Sequence, residues 1–257
     1  MMHRLGEYTQ RMKASIKWPS PPRNPSISTG AVHLWAWDYE CSPDNLNRYI
    51  TLLSLDERIR MQRFRFERDR VCYCVSHAIL RILLGRYLCV MPSSISFDQN
   101  EFGKPKLAQA LVVPELAFNL SHRNQVGLLA IADGLAVGVD IEEVLPIEYE
   151  TIERYFSTRE QSSLAALADA DRLEGFYNCW TKKEAILKAE GLGLNMRPDA
   201  FDVSLSPNVK ASVLEVRANA GLTCNWHLVE LRPALGFVGA LATNVVPSSV
   251  ACYCFAS

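Results

Sequence analysis

The pattern of apolar and polar residues predicts two successive series of strands and helices. In the first series, alternation predicts a strand at residues 32–37, and residues 54–87 have the longer period of one or two long helices. Short apolar runs predict three further strands, at residues 95–97, 117–120 and 126–131. The first series therefore predicts a small sheet with long helices packed against it.

The second series resembles the first. It comprises a strand at 136–141, helices within 147–168 and 171–189, and strands near 201–205, 213–216, 225–231 and 237–242. Short segments of the first series recur in the second in the same order and at nearly constant spacing, which favours an internal duplication. We therefore predict an α+β fold built as a pseudo-two-fold pair of similar lobes, each a small antiparallel sheet packed on a long helix.

Changes in composition predict where the lobes begin and end. A proline-rich stretch at residues 18–25 has no helical or strand period, so residues 1–30 are predicted to form an extended N-terminal arm. The predicted N-terminal lobe spans residues 31–134 and the C-terminal lobe residues 135–245. Residues 246–257 are predicted to be a C-terminal tail.

Composition narrows the range of function classes. The chain has 257 residues, is 49% hydrophobic, and has 27 basic against 28 acidic residues, a balance that argues against a broad nucleic-acid surface. No apolar run approaches the roughly 20 residues of a membrane helix, and residues 1–17 lack the apolar segment of a signal peptide. We expect no membrane partner and a cytoplasmic protein whose eight cysteines are ordinary small apolar residues.

Two segments carry the candidate chemistry. Residues 138–142 read Gly-Val-Asp-Ile-Glu, and strand alternation places Asp140 and Glu142 on one face. Residues 180–188 read as a helix that can bring Glu184 to the same place, with lysines beside it. Clustered carboxylates repel one another unless a cation is present, and Mg²⁺ prefers oxygen ligands and phosphate. The combination predicts a divalent cation that holds phosphates.

Other interpretations fit parts of this pattern. Asp140 and Glu142 can solvate a strand end, while Glu184 pairs with Lys188 one helical turn away. A metal-dependent nuclease also uses carboxylates and lysines, although its common signature places a lysine two residues after an acidic ligand, where this chain has Ile186. A non-catalytic module that binds carrier proteins or nucleotides is a further alternative.

The flanking motifs resemble those of a known family. Residues 103–105 read Gly-Lys-Pro, residues 118–122 read Phe-Asn-Leu-Ser-His, and the two segments above follow in order. Together they resemble the 4′-phosphopantetheinyl transferase superfamily, in its long single-chain, surfactin-synthetase-activating form, over roughly residues 32 to 243. The chain departs from the common pattern at Arg123, where a small residue is usual.

The resemblance implies a reaction and its participants. An enzyme of this family transfers the 4′-phosphopantetheine group of coenzyme A, its substrate, to a serine of an apo acyl or peptidyl carrier protein and releases 3′,5′-ADP. It uses Mg²⁺, with Mn²⁺ as an alternative ion. The implied active site lies at the lobe interface of a monomer. The carriers serve fatty acid, polyketide or nonribosomal peptide biosynthesis.

The resemblance also implies residue roles. Asp140, Glu142 and Glu184 are the expected metal ligands, and Glu184, Lys188 and Asp140 the expected catalytic residues. The expected coenzyme A contacts are Arg60, Phe102, Gly103, Lys104, Pro105, Ser121, His122, Lys183 and Lys188. Lys182 is expected to face water, and Trp180 to anchor its helix in the core.

Overall fold

The computed structural model describes residues 15–108, 115–147, 155–192, 197–217, 221–223 and 225–256. Within these ranges the helices are α1 (Pro43–Leu52), α2 (Leu55–Gln62), α3 (Glu67–Leu88), α4 (Thr158–Ala165) and α5 (Asp169–Glu190). The strands are β1 (Ala31–Asp38), β2 (Phe97–Gln99), β3 (Pro105–Leu107), β4 (Leu116–Arg123), β5 (Val126–Asp133), β6 (Val137–Glu143), β7 (Phe201–Val203), β8 (Val213–Val216), β9 (His227–Leu231), β10 (Phe237–Thr243) and β11 (Ser249–Cys254). The predicted α+β class is confirmed.

The strands form two main sheets and two hairpins. The first sheet has the order β11-β1-β5-β4 and the second the order β6-β10-β9, while β2 pairs with β3 and β7 with β8. All of these pairs are antiparallel except β1 with β11, which is parallel. The prediction of purely antiparallel sheets is therefore wrong for the first sheet, because the end of the chain adds a parallel strand to it.

Helix α3 packs on one face of the first sheet. Trp35 and Trp37 alternate with the residues that point to the other face, and Trp35 shares a buried cluster with Ile79 and Leu83 of α3. Helix α3 is the only described helix long and apolar enough to cross a membrane, and 67% of its most apolar stretch is buried inside the fold. That burial follows from its position in the core.

Helix α5 packs in the same way on the second sheet. Ala185 and Ile186 lie in one buried cluster with Ala240 and Ala242 of β10. The opposite face of the second sheet meets the free face of the first sheet, where Leu34, Leu128 and Val139 share a third cluster. The chain therefore forms four layers in the order helix, sheet, sheet, helix, and β6 lies along β4 at one edge of the two inner layers.

Both ends of the described chain pack on this core. The segment predicted as a tail includes β11, which extends the first sheet beside β1. In the predicted arm, the Lys17 backbone N–H donates to the Pro233 carbonyl, and the Cys254 N–H donates to the Pro19 carbonyl. Residues 15–19 therefore connect the turn before β10 with the edge of the first sheet.

Candidate active site

Gly138 lets helix α5 lie unusually close to strand β6. A side chain at this position would place its Cβ 2.1 Å from the Ala185 carbonyl oxygen and 2.5 Å from the Ala189 nitrogen, closer than real Cβ atoms come to other atoms. Only glycine leaves room for this contact. Asp140 and Glu142 follow at two-residue spacing and project from the same face of the strand, toward the helix.

The predicted meeting of strand and helix centres on Asp140. The Lys188 ammonium of α5 donates to Asp140 Oδ1 over 2.6 Å. Ser121 at the end of β4 accepts from Lys188 over 2.9 Å and donates to the same Asp140 oxygen over 3.0 Å. Asp140 is only 4% exposed. A carboxylate of the second sheet is thus held by a helix lysine and by a hydroxyl of the first sheet.

The other two predicted carboxylates lie in the electrostatic field of Asp140. Burial and the neighbouring Asp140 charge raise the pKa of Glu142 to about 7, against the opposing effects of Arg123 and Lys188. Burial and Asp140 also raise the pKa of Glu184, while Lys188 opposes the shift. Each shift means that the negative form of the side chain is disfavoured in this arrangement. The charges of the three carboxylates therefore act on one another, and burial adds to the cost of keeping the two glutamates negative.

The oxygen atoms of these carboxylates are suitable ligands for a divalent cation. In this structure, however, two of the carboxylates are paired with lysine and arginine side chains. Asp140 Oδ2 is buried without a hydrogen-bond partner, and the Arg123 guanidinium lies 3.0 Å from a Glu142 oxygen. In the part of the chain that the structure describes, no three His, Cys, Asp or Glu side chains converge closely enough to bind one ion. Oxygen donors with an unpaired buried atom suit a hard divalent ion. Lys188 is paired with Asp140, and Arg123 is paired with Glu142.

The edge between β4 and β6 connects this acidic site to the first sheet. The Val139 N–H donates to the Asn119 side-chain oxygen over 2.8 Å, a bond that joins the two strands directly. His122 follows Ser121 at the end of β4. Burial lowers the pKa of its imidazole, and the neighbouring Lys188 charge lowers it further. The positively charged form of His122 is therefore disfavoured beside the cluster.

A cavity of about 280 Å³ opens beside His122. Its walls are residues of α3 and of the end of β4, among them Tyr73, His77, His122 and Arg123. Phe64 borders this cavity and also a broader surface groove that contains Arg60 and Arg63. The predicted contact Arg60 thus lies in a basic groove that adjoins the cavity at Phe64.

Two predicted site residues are placed elsewhere. Lys183 is buried away from the carboxylates, where its ammonium donates to the Phe201 carbonyl over 2.6 Å and pairs with Glu160 over 2.8 Å. Lys182, expected to face water, is fully buried and lies 2.6 Å from a Glu230 oxygen. Both predictions are wrong, because β7 and β9 cover the sides of α5 that carry these lysines.

Lys104 also departs from its predicted contact with coenzyme A. Its ammonium donates to two backbone carbonyls, of Ala189 over 2.8 Å and of Val137 over 3.2 Å. Burial lowers its pKa to about 8, with the opposing charge of Glu190 as the smaller effect. Phe102 and Gly103, with a φ of +85°, are exposed in the turn before it, and Pro105 begins β3. Phe102, Gly103 and Pro105 are exposed and remain open to a ligand, whereas the Lys104 ammonium is bonded within the protein.

Sequence reasoning missed two residues that organise the site. Arg123 pairs with Glu142, and no spacing rule links these positions across two sheets. Glu160 forms a capping box with Ser157 at the start of α4. The same carboxylate is 1% exposed and binds Lys183, so it also fixes α5. Trp180 packs beside Phe176 at the edge of the core, as predicted.

Comparison with known proteins gives the family. Residues 136–245 match the profile of the 4′-phosphopantetheinyl transferase superfamily, and residues 36–133 match the profile described as 4′-phosphopantetheinyl transferase, N-terminal. The 4′-phosphopantetheinyl transferase HetI of Nostoc sp. is 33% identical over 88% of this chain and 92% of its own length. The chain belongs to the 4′-phosphopantetheinyl transferase superfamily.

Two further relatives agree with this family. The 4′-phosphopantetheinyl transferase Sfp of Bacillus subtilis is 30% identical over 68% of this chain and 77% of its own length. A protein of Synechocystis sp. named as a putative 4′-phosphopantetheinyl transferase, slr0495, is 33% identical over 70% of this chain and 72% of its own length. The prediction that the chain is a 4′-phosphopantetheinyl transferase is confirmed.

Proposed function

We propose that this enzyme transfers the 4′-phosphopantetheine group of coenzyme A to a serine of an apo carrier protein, in a Mg²⁺-dependent reaction that releases 3′,5′-ADP. One observation carries the proposal. The carboxylate of Asp140, on the second sheet, is bonded to Lys188 of α5 and to Ser121 of the first sheet. Asp140 therefore lies where the two sheets meet, near the cavity beside His122.

The metal ligands we propose are Asp140, Glu142 and Glu184. The unpartnered Asp140 Oδ2 supports this choice, since a buried oxygen without a hydrogen-bond donor is free to bind a cation. The Asp140 charge also contributes to the raised pKa values of the two glutamates, after burial, and a cation would offset that contribution. When bound, Mg²⁺, or Mn²⁺ in its place, neutralises charge on the phosphate oxygens of the substrate.

The protein residues then position the reactants. The serine oxygen of the carrier forms a bond to the β-phosphorus of coenzyme A, and the bond from that phosphorus to the oxygen of the leaving 3′,5′-ADP breaks. Lys188 and His122 border the place where negative charge develops, so they can donate hydrogen bonds to phosphate oxygens. Glu184 is our candidate for the group that accepts the serine proton.

Coenzyme A binding draws on the first sheet and its helices. We retain these predicted contacts: Arg60 in the basic groove, Ser121 and His122 at the end of β4, Lys188 of α5, and the exposed turn at Phe102, Gly103 and Pro105. Arginine suits phosphate because its guanidinium donates two parallel hydrogen bonds. Lys183 and Lys104 are withdrawn from this set, because their ammonium groups are bonded within the protein.

The remaining expectations form part of the same proposal. The two halves, residues 31–134 and 135–245, act as pseudo-two-fold lobes with the active site between them. The enzyme works as a monomer, because one chain supplies both lobes. It acts in the cytoplasm. Its carriers belong to fatty acid, polyketide or nonribosomal peptide synthesis.

The test is direct. The protein is incubated with coenzyme A, Mg²⁺ and an apo carrier domain, and the carrier is weighed by mass spectrometry while released 3′,5′-ADP is quantified by chromatography. A phosphopantetheine adduct with equimolar 3′,5′-ADP, abolished by EDTA and restored by Mg²⁺, is expected. Coenzyme A binding without any adduct on fatty-acid, polyketide or peptide carriers selects a non-catalytic binding module instead.

A further inference from the structure

Lys104 and Asn100 form a preorganised turn at the end of the β2–β3 hairpin. The Asn100 side-chain oxygen accepts from the backbone N–H groups of Phe102, over 3.0 Å, and Lys104, over 2.8 Å. The Asn100 N–H also donates to the Lys104 carbonyl over 3.0 Å. Because these bonds are local, the turn is rigid before it contacts anything else.

This turn contacts the second half of the chain at two places. The Lys104 ammonium bonds the Ala189 carbonyl in the last turn of α5 and the Val137 carbonyl at the start of β6. The Asn100 amide donates to the Gly191 carbonyl, just past the helix end, over 2.8 Å. The last carbonyls of a helix lack internal partners and attract positive charge, so a lysine there completes the helix end.

Gly191 shows that this contact is close. It has a φ of +70°, and a Cβ at this position would lie 2.8 Å from Lys104 Cδ and 3.0 Å from the Asn100 amide nitrogen. A larger residue would have to displace the Lys104 and Asn100 side chains that bond to the helix end. The chain thus has a glycine where the turn of the first half docks on the helix of the second.

The two elements that Lys104 joins are those that carry the proposed catalytic residues. Strand β6 continues from Val137 to Asp140, about 10 Å along the strand, and α5 carries Glu184 and Lys188 in its last two turns. We propose that Lys104, with Asn100, is a positioning residue that fixes the end of α5 relative to the start of β6 and so aligns Lys188 and Glu184 with Asp140. The inference rests on the proposed function of that site.

A substrate-binding role for Lys104 makes different predictions from a positioning role. A lysine that contacts phosphate raises the KM for coenzyme A when it is removed and leaves the free protein unchanged. A lysine that joins helix and strand changes the free protein itself. Hydrogen–deuterium exchange without any substrate therefore separates the two roles.

The experiment compares Lys104→Met with Lys106→Met, a matched control at an exposed lysine of the same hairpin. In Lys104→Met, backbone amides of residues 187–191 and 137–139 are expected to exchange about tenfold faster or more, because hydrogen bonds to a charged group are lost. The kcat for carrier modification is expected to fall by about tenfold to a hundredfold with the KM for coenzyme A within about twofold. Lys104→Arg, which can still bond both carbonyls, is expected to recover part of both losses.

Several results would overturn the inference. One is unchanged hydrogen–deuterium exchange in Lys104→Met, whether or not the KM for coenzyme A rises. Another is that Lys106→Met changes exchange and kcat as much as Lys104→Met does. If Lys104→Met does not fold, Asn100→Ala removes the bond to Gly191 together with the two side-chain bonds that hold the turn. Unchanged exchange at residues 187–191 in that variant would count against the proposal. If the wild type modifies no carrier, the proposed function fails while the exchange data still decide whether Lys104 joins helix and strand.

Discussion

The ammonium of Lys188 lies 2.6 Å from the carboxylate of Asp140, and Ser121 bonds to both groups. Three segments that are distant in the sequence meet at this one carboxylate. A change at Asp140 therefore acts on the helix, the strand and the neighbouring sheet at once. This arrangement makes it the most informative position for mutation.

Asp140→Asn is expected to reduce carrier modification by about a hundredfold to a thousandfold, because the amide keeps the volume but loses the charge that metal and lysine need. Since Lys188 is 30% exposed and can turn to water, the free energy of unfolding is expected to change by only about 1 kcal/mol. Steady-state kinetics and urea unfolding measure the two quantities. The exposed Asp98→Asn is the control, and near-normal turnover of the Asp140 variant would refute the assigned role.

Arg123→Ala is expected to strengthen metal binding in the absence of coenzyme A. The guanidinium now pairs with Glu142, so an ion must displace it, but at 49% exposure the pair is weak. The dissociation constant for Mn²⁺, measured by electron paramagnetic resonance, is expected to fall about two- to fivefold. Arg159→Ala removes a comparable exposed pair with Glu215 and should leave the constant unchanged. Weaker Mn²⁺ binding in Arg123→Ala would show that the arginine assists the ion.

Lys183→Met and Lys188→Met are expected to fail in different ways. Removing Lys183 leaves the Glu160 carboxylate buried without its cation, which is expected to lower the free energy of unfolding by about 3 to 5 kcal/mol. Removing Lys188 also leaves the buried Asp140 carboxylate without its cation, so some stability is expected to be lost. This variant is expected to lose most turnover even where it is fully folded. Urea unfolding and carrier modification are measured for both. If Lys183→Met is stable and has a raised KM for coenzyme A, the predicted contact between Lys183 and coenzyme A would be supported after all.

Acid is expected to destabilise the fold through Glu57. Burial alone would raise its pKa, but hydrogen bonds from His77 and Arg81 outweigh burial and lower it to about 2. A carboxyl whose pKa is lowered by folding stabilises the protein above its unfolded pKa and loses that effect as pH falls through the folded value. The contribution is expected to be on the order of 3 kcal/mol at pH 7, and to disappear between about pH 5 and 2.

The measurement for Glu57 is the free energy of unfolding as a function of pH. Glu57→Gln is expected to be less stable at pH 7 and to show a smaller loss than the wild type between about pH 5 and 2. Parallel curves for the two proteins would show that another carboxyl controls the acid response.

Periodicity was sufficient to locate the elements that carry the acidic site. Alternation in residues 138–142 correctly places Asp140 and Glu142 on one face, and the helical spacing of Glu184 and Lys188 places both toward the strand. Gly138 explains why this motif begins with glycine, but the reason lies in the Ala185 carbonyl, some fifty residues away. The local sequence pattern predicts which side chains share a face of a strand or helix. Which distant element packs on that face is determined only by the tertiary fold.

The three misplaced lysines show the same limit. Lys182, Lys183 and Lys104 look like free cations in the sequence, since nothing nearby pairs with them. Their partners are Glu230, Glu160 and two backbone carbonyls, each brought in by a distant element. A buried lysine is stable only with such partners, and these partners are brought close by the packing of α4, β9 and the β2–β3 turn.

The position of β11 in the first sheet affects when that sheet can be completed during synthesis. It is the last described strand, and it lies beside β1, which is the first. On the ribosome, the N-terminal sheet must therefore keep an open edge until residues 249–254 have been synthesised. A protein shortened by a dozen residues at its carboxyl end would keep every proposed catalytic group and yet expose the backbone of β1 to aggregation.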